Sequence, residues 1–487
     1  MRCRLFTLPT SVALLSAGGC LLWSLAPSAW AASLRTTKEQ ALALAMNGKE
    51  LGVVVQRERE GDDVLVVEKE ERVTFERAGT KVRMDTALRT ESNAAGRPRR
   101  YRYVRTDSSG DFVVTGEVQA GRMQLRTQQA GSVVDNAVEL PPGTKFYTAH
   151  SAQMMKALAP TDITVPLFVE ELSVVENVRF KVTSTTQHCP KRSTCFLVQE
   201  HFRSFVMESV VDDKGHLRFG ETKALGTVVW PLSEKPPVPL SSGTADLMQS
   251  TTWPAPKLKP TVHRVRYRVV TDDAMAFALP EDSRQRVVGR TATTIDVEVR
   301  GTRATHGPLR AAQRRRLLQE TAYEAISDPR LQKAAADAVD GATTTRAKVA
   351  QLNAFVHQHI EEQTLDRGSA PAVVTLEQRK GDCTEHAVLL SALLRTQGIP
   401  TRLVDGVVVS GGRLGYHQWV EVQIDDEGMV PADPTFGEFP ASVKRLKLAE
   451  GASDPQGLMD LGMAAARILR PGTRIEVLEA DRSRFQR

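Results

Sequence analysis

Residues 381–394 read GDCTEHAVLLSALL, and this stretch decides how the last third of the chain folds. Four of its residues recur at i, i+4, i+7 and i+11, which places them on one buried face of an α-helix: Cys383, Ala387, Leu390 and Leu394. Gly398 then provides a stop, because glycine readily adopts the left-handed conformation that ends many helices. The pattern predicts a largely buried helix with Cys383 in its first turn.

This position of Cys383 suits a nucleophile. In the first turn of a helix, unpaired backbone N–H groups and the positive end of the helix dipole stabilise a thiolate, so we expect a lowered pKa for the Cys383 thiol. Two other interpretations stand beside this one. A single helix cysteine is commonly a small buried apolar residue. Cys383 and His386 could also begin a zinc site, but the sequence offers no obvious third and fourth ligand.

A strand that carries a histidine is predicted at residues 416–424, which read YHQWVEVQI. Side chains alternate between the two faces of a strand, so His417, Trp419 and Glu421 share one face and Val420, Val422 and Ile424 the other. A hairpin turn at 425–428 and a register centred on it place Asp433 across from Val420, one diagonal step from His417.

Together these elements supply the groups of a cysteine nucleophile. A thiolate needs an imidazole to exchange its proton and a third group to orient that imidazole, and His417 and Asp433 fit these roles. Taken singly, a strand histidine is more often structural, and Asp433 followed by Pro434 is typical of a turn.

Three ordered blocks resemble the signatures of the transglutaminase-like superfamily, and they match its exported bacterial branch best. They comprise residues 381–387 with 398–402, then 416–422, then 433–435. The resemblance covers about residues 310–480. It implies an α+β fold with a papain-like core, in which a helix bearing the cysteine packs on an antiparallel sheet bearing the histidine and the aspartate. A β-rich N-terminal domain precedes this core.

The resemblance also implies a mechanism. Cys383 is the nucleophile, His417 the general base and acid, and Asp433 the orienting carboxylate. The cysteine attacks an amide or ester carbonyl and forms a thioester, which water or an amine resolves. Four further residues are expected around the site: Trp419 as a wall of the cleft, Asp382 and Tyr416 as supporting residues, and Arg402 as a structural residue.

The chain departs from the animal members of the superfamily at two points. Thr384 follows the cysteine, where those enzymes carry a tryptophan, and Met429 stands where a tryptophan often precedes the aspartate block. No upstream side chain is identifiable as an oxyanion donor, although the backbone N–H of Cys383 can serve as one. Because nothing resembles the calcium sites of the animal enzymes, we expect no metal and no cofactor.

The composition is that of a globular protein, with 487 residues of which 41% are hydrophobic and 25% charged. At about 100–200 residues per domain, this length predicts two to four domains. The net charge of +6 is mild, and aromatic residues make up only 5%. Because base-stacking surfaces interleave aromatic with basic residues, we expect no nucleic-acid partner.

Residues 1–31 have the three parts of a secretory signal peptide. A positive start and an apolar stretch precede small residues at 29 and 31, so we expect cleavage after Ala31. Lipid attachment at Cys20 is the weaker alternative, because the apolar run continues past that cysteine. No other run approaches the roughly 18–20 apolar residues of a membrane span. We therefore expect a periplasmic or secreted protein with no membrane span after signal removal.

Removal of this leader takes away two of the five cysteines. Cys189 and Cys195 flank a turn-like stretch between two strand-like runs, and in an oxidising compartment we expect them to form a structural disulfide. A zinc pair next to His188 is the alternative, but no second ligand pair follows at the right spacing. Cys383 then remains the single thiol, as a thiolate nucleophile requires.

The rest of the chain divides by composition. Residues 35–230 contain β-branched runs between turn residues and predict a β-rich domain whose function the pattern does not reveal. Residues 231–260 hold seven of the 25 prolines and predict a linker. Two strictly alternating runs predict a β-strand module at 261–305, and the catalytic domain is expected at 310–480. Within it, an apolar stripe predicts a helix from about 345 to 360.

These features predict an exported cysteine-dependent hydrolase or acyltransferase, with proteases included, that acts on amide bonds of a peptide or protein substrate. The alternative is a non-catalytic periplasmic module, in which the scaffold binds proteins and the β-rich part recognises a partner. The sequence does not distinguish hydrolysis from amine transfer, and it does not indicate the oligomeric state.

Overall fold

The computed structural model describes residues 34–203, 205–248, 251–272, 274–301, 309–366, 370–469 and 472–481. The predicted signal peptide at 1–31 and the alternative lipid attachment at Cys20 lie outside the described residues. None of the described helices has the length and apolar composition that a membrane span requires.

The N-terminal half forms one 15-stranded sheet. Its strands are β1 (Arg35–Met46), β2 (Lys49–Gly61), β3 (Val64–Arg77), β4 (Thr80–Ser92), β5 (Pro98–Asp107), β6 (Gly110–Gln119), β7 (Arg122–Gln129), β8 (Ser132–Glu139), β9 (Lys145–Phe146), β10 (Thr161–Val169), β11 (Val174–Thr185), β12 (Cys195–Phe202), β13 (Phe205–Asp212), β14 (Leu217–Thr222) and β15 (Thr227–Pro231). The order runs from β8 back to β1, then from β15 back to β9. Neighbouring strands are mostly sequential and antiparallel, and the β1–β15 pair joins the two series.

Tight two-residue turns connect several of these strands. At Asn47-Gly48 the φ angles are 51° and 72°, and at Ala78-Gly79 they are 51° and 82°. Two positive φ angles in succession give the turn a twist that matches the flanking strands. Glycine takes the second position because it adopts positive φ without a steric penalty.

Helix α1 (Tyr147–Lys156) packs on this sheet. Its Ala149 and Ala152, with Phe146 just before the helix, lie in a buried cluster with Tyr101 and Phe168. The predicted disulfide is confirmed: Cys189 and Cys195 are bonded, and Cys195 is the first residue of β12.

The C-terminal half is mixed. Its elements are β16 (Thr252–Pro254), β17 (Arg264–Val270), β18 (Gln285–Arg290), β19 (Thr294–Arg300), α2 (Ala311–Leu317), α3 (Pro329–Ala338), α4 (Thr345–His359), α5 (Ala372–Gln378), α6 (Cys383–Thr396), β20 (Thr401–Ser410), β21 (Arg413–Ile424), β22 (Gly428–Ala432), β23 (Arg445–Gly451), α7 (Pro455–Leu469) and β24 (Arg474–Asp481). One sheet has the order β16-β21-β20-β23, with β22 also paired to β21, and a second has the order β18-β19-β17-β24. The α+β fold class predicted from the sequence is therefore correct.

The strands predicted as a module at 261–305 share a core with the helices that follow. Val265, Tyr267 and Ile295 lie in the same buried cluster as Leu352 on α4 and Leu390 on α6. Strand β24, from the end of the chain, pairs with β17. The domain boundaries predicted from composition remain a proposal.

The proline-rich stretch at 231–260 contacts both halves of the chain. Ser241 donates its backbone N–H to the carbonyl of Gly48 at 2.8 Å, and β16 pairs with the first residues of β21. The halves also meet directly, where the ring of Phe112 on β6 stacks on that of Tyr323 at 5.6 Å.

Candidate active site

Helix α6 begins with a capping box, and this places Cys383 in its first turn. Asp382 accepts a hydrogen bond from the Thr384 N–H at 2.8 Å, and the Glu385 carboxylate accepts one from the Asp382 N–H at 2.8 Å. This reciprocal pair satisfies two of the N–H groups that a helix start leaves open. The helix predicted from the apolar spacing is present, and it ends at Thr396, two residues before Gly398.

The edge of β21 is where the helix and the sheet meet. Strand β20 pairs along one side of β21. On the other side β16 covers residues 413–415 and β22 covers residues 420–424. Among the described strands none pairs with residues 416–419 on that side, and here the Gln418 backbone N–H acts on the Cys383 sulfur and lowers the pKa of its thiol. The thiol therefore lies at the segment of β21 that carries His417.

His417 and Asp433 form a buried pair. Nε2 of His417 lies 2.7 Å from Oδ2 of Asp433, and the two side chains are 4% and 0% exposed. Arg445, on β23, places Nε 2.6 Å from the same oxygen. Burial alone would raise the pKa of Asp433, but His417 and Arg445 outweigh it and hold that pKa well below its usual range. The carboxylate is therefore ionised and oriented.

The predicted hairpin register is wrong by one residue. Val420 lies opposite Ala432, not Asp433, and Ile424 pairs with Gly428. The difference arises because residues 425–427 form a single turn of 3₁₀-helix, so the hairpin is not centred where the sequence pattern placed it. Asp433 lies one residue beyond the pair with Val420 and still reaches His417.

The expected lowering of the Cys383 pKa is also wrong. Cys383 is half-buried, and burial raises the pKa of its thiol well above the ordinary value, with the neighbouring charge of Asp382 raising it further. The Gln418 N–H and Arg77 act in the opposite direction and do not compensate. The helix end alone favours the thiolate, but burial of the thiol depends on tertiary structure.

Trp419, predicted as a wall, is buried beside His417 with 6.1 Å between ring centroids. Gly406, opposite His417 on β20, makes room for the indole. A Cβ at position 406 would lie 2.7 Å from a Trp419 ring carbon and 2.1 Å from the carbonyl oxygen of Leu446. The indole thus supports the histidine from inside the sheet.

Tyr416, predicted as a supporting residue, forms a hydrogen bond with Asp405. Its hydroxyl donates to Oδ2 of Asp405 at 2.8 Å, and Nε2 of Gln418 donates to Oδ1 at 2.6 Å. Burial raises the pKa of Asp405 to about 6. Asp405 was not predicted as a residue of the site. Its carboxylate accepts hydrogen bonds from Tyr416 and Gln418, the two residues on either side of His417. Arg402, expected to be structural, bonds to Glu421 at 2.9 Å.

Two other residues of the site, Phe436 and Arg445, belong to no sequence motif. Phe436 lies edge-on to His417 at 5.3 Å between ring centroids and is 40% exposed. Arg445 lies over the Phe436 ring at 5.5 Å and binds Asp433. The sequence held no signal for either. Arg445 approaches through the pairing of β20 with β23, and Phe436 lies in the turn after Asp433, where its N–H bonds to the Asp433 carboxylate.

The remaining histidines near the site bind backbone carbonyls. His386 contacts the carbonyl of Asp382 at 2.7 Å, and His357 contacts that of Pro434 at 3.0 Å. In the part of the chain that the structure describes, no three His, Cys, Asp or Glu side chains are grouped as metal ligands would be.

Comparison with known proteins assigns this region. Residues 332–434 match the family model of the transglutaminase-like superfamily. This region is a transglutaminase-like core. The matched segment contains Cys383, His417 and Asp433, so the resemblance inferred from the sequence blocks is confirmed. No curated protein matches the chain.

Several solved structures are similar to parts of the chain. A candidate cysteine protease from Cytophaga hutchinsonii is 14% identical, covering 47% of this chain and 89% of its own, with a TM-score of 0.31. The periplasmic domain of TgpA from Pseudomonas aeruginosa is 20% identical, covering 43% and 77%, with a TM-score of 0.29. A β-barrel-like protein of unknown function from Brucella abortus is 14% identical, covering 40% and 94%, with a TM-score of 0.31. Likenesses at these TM-scores do not define an activity.

Proposed function

We propose that this protein is an exported cysteine-dependent hydrolase or acyltransferase that acts on peptide or protein amide bonds through a thioester. Cys383, His417 and Asp433 form its triad. The observation that carries the proposal is the buried His417–Asp433 pair, 2.7 Å apart. His417 is next to Gln418, whose backbone N–H lowers the pKa of the Cys383 thiol.

The orientation of the imidazole supports these roles. Because Nε2 of His417 donates to Asp433, Nδ1 is the ring nitrogen left to accept a proton from the thiol. Asp433 holds this tautomer and stabilises the imidazolium that forms, and it remains ionised because Arg445 shares its oxygen. Since burial raises the pKa of the Cys383 thiol, we infer a neutral thiol at rest, which loses its proton to His417 as it attacks.

The reaction then has two halves. The Cys383 sulfur bonds to the carbonyl carbon, and the backbone N–H of Cys383 is one donor for the resulting oxyanion. When the C–N bond breaks, His417 returns its proton to the departing amine and leaves a thioester. Water or an amine attacks that thioester, gives its proton to His417, and expels the sulfur, which takes the proton back. Water gives hydrolysis, and an amine gives acyl transfer.

The disulfide supports export. A disulfide such as Cys189–Cys195 persists in oxidising compartments, which include the periplasm and the cell exterior. The predicted cleavage after Ala31 belongs to the same proposal. Sequencing the N-terminus of protein recovered from outside the cytoplasm tests it, and an intact leader there contradicts it.

The catalytic proposal is tested by incubating the protein with peptide amides, with and without a labelled primary amine. We expect a mass increase on Cys383 that matches an acyl group, and release of either the acid or the labelled amide. Cys383→Ala and His417→Gln should abolish the acyl adduct. His359→Gln is the matched control, since the His359 ring lies on α4, where it contacts the carbonyl of Leu376 at 2.7 Å and stacks on Phe355.

Two outcomes contradict the proposal. One is a Cys383 that forms no acyl adduct with any peptide amide. The other is a Cys383→Ala protein that keeps full biological activity, which would support the non-catalytic binding module instead.

A further inference from the structure

The β3–β4 hairpin of the N-terminal sheet reaches the first turn of α6. Arg77, the last residue of β3, places Nη2 2.5 Å from Oδ2 of Asp382. The two side chains are 13% and 8% exposed, so solvent screens this pair far less than it screens a surface ion pair. Because Asp382 directly precedes Cys383, the contact brings a cation from the N-terminal half to the thiol.

Residues 245–247 hold this hairpin in place. The Asp246 carboxylate accepts hydrogen bonds from the N–H groups of Ala78 and Gly79, at 3.1 and 3.2 Å. Glu76 donates its N–H to the carbonyl of residue 245 at 2.7 Å and accepts from the N–H of residue 247 at 2.9 Å. Further along, β16 pairs with β21, the strand of His417. One stretch of chain therefore ties the hairpin of Arg77 to the strand of the histidine.

Asp382 uses its two carboxylate oxygens separately. Oδ1 caps α6 through Thr384, and Oδ2 binds Arg77. The charge of Asp382 raises the pKa of the Cys383 thiol, while Arg77 lowers it. Other charged or titratable groups among the described residues near this turn include Glu385 and His386 on α6, and Tyr416 on β21.

We propose that Arg77 is a positioning residue for Cys383: it neutralises Asp382 while leaving the helix cap intact, so that the cysteine faces a paired carboxylate. The N-terminal sheet is then part of the active site, in addition to any recognition it performs. The inference rests on the proposed function for the reaction that Arg77 serves, but its test measures thiol reactivity and needs no turnover.

The test is the pH dependence of Cys383 alkylation by iodoacetamide in the full chain, with Cys383→Ala as the blank. Arg77→Gln keeps a hydrogen-bond donor and removes the charge. We expect its alkylation curve to move to higher pH. For each pH unit of this shift, alkylation at neutral pH should be slower by about tenfold. Arg77→Lys should follow the wild type. Arg83→Ala, which removes an exposed arginine of β4 paired with Asp85, is the matched control and should also follow the wild type.

The double variant Arg77→Gln, Asp382→Asn distinguishes charge from packing. Asparagine also caps helices, so removal of both charges should return the curve to that of the wild type. A folded Arg77→Gln protein whose curve overlays the wild type overturns the proposal, as does a shift that the double variant does not reverse. If Arg77→Gln alone fails to fold, Arg77→Lys and the double variant carry the test, and slowed alkylation in either overturns it. Absence of amide turnover in the wild type, with the alkylation curves shifted as expected, would instead count against the proposed function.

Discussion

Arg445 and His417 bind the same oxygen of Asp433. Nε of Arg445 lies 2.6 Å and Nε2 of His417 lies 2.7 Å from Oδ2. Arg445 extends the network through Nη1, which lies 2.8 Å from Oε2 of Glu438. The shared oxygen keeps Asp433 ionised while the histidine gains and loses its proton, so the carboxylate orients the ring without taking that proton itself.

Replacement of Asp433 with asparagine preserves the size of the side chain and removes its charge. The imidazole then loses the group that holds Nδ1 free for the thiol, so we expect the acylation rate to fall by about 10⁴. Stopped-flow measurement of thioester formation gives the rate. Asp328→Asn, which alters the cap of α3, is the control and should acylate as the wild type does. An acylation rate within tenfold of the wild type in Asp433→Asn would rule out the orienting role.

Replacement of Arg445 with methionine leaves a buried carboxylate without its guanidinium. We expect the free energy of unfolding to fall by about 3–5 kcal/mol, because an uncompensated charge remains inside the protein. Urea denaturation measures this. Arg474→Met removes an arginine from an exposed pair with Glu476 and should change stability by less than about 1 kcal/mol. Equal losses of unfolding free energy in the two variants would show that the buried Arg445 stabilises the protein no more than the exposed Arg474.

Gly406 is predicted to tolerate no side chain. A Cβ there meets the Leu446 carbonyl oxygen at 2.1 Å and Trp419 at 2.7 Å, so Gly406→Ala should destabilise the protein by about 3 kcal/mol, the upper part of the range for overpacking. It should also slow acylation, since Trp419 supports His417. Gly415→Ala is the control on the adjacent strand, where the nearest atom is 3.6 Å away. Equal melting temperatures for Gly406→Ala and Gly415→Ala would contradict this prediction.

Asp405 predicts a pH dependence of stability. Its pKa is raised to about 6 in the folded state and is about 3.9 in an unfolded chain, so the folded protein binds this proton more tightly. The stability contributed by the protonated group is present below about pH 4 and is lost as the pH rises through 6. Asp405→Asn cannot titrate, and its free energy of unfolding relative to the wild type should rise by about 2–3 kcal/mol from pH 4 to pH 7. Urea denaturation at both pH values checks this, and a constant difference would refute it.

The parts of the site that lie close together in sequence could be predicted. Helix α6 was predicted because its apolar period and the Gly398 stop lie within about 20 residues of chain, whereas its Asp382 cap was seen only in the structure. The strand of His417 follows from alternation alone. The hairpin register was missed by one residue, because a turn of 3₁₀-helix and a tight hairpin share the same residue types.

By itself, the sequence predicted the helix that carries Cys383, the strand that carries His417 and the position of Asp433 after the hairpin, and it favoured the Cys189–Cys195 disulfide. Those choices depend on hydrogen bonds and apolar periods within a few residues. Only the tertiary structure decided that Arg445 holds Asp433, that Arg77 reaches Asp382 across 305 residues, and that burial raises the thiol pKa. A buried charge is satisfied by whichever partner the order of strands and the packing of the two halves bring within hydrogen-bond distance, and no local pattern contains that information.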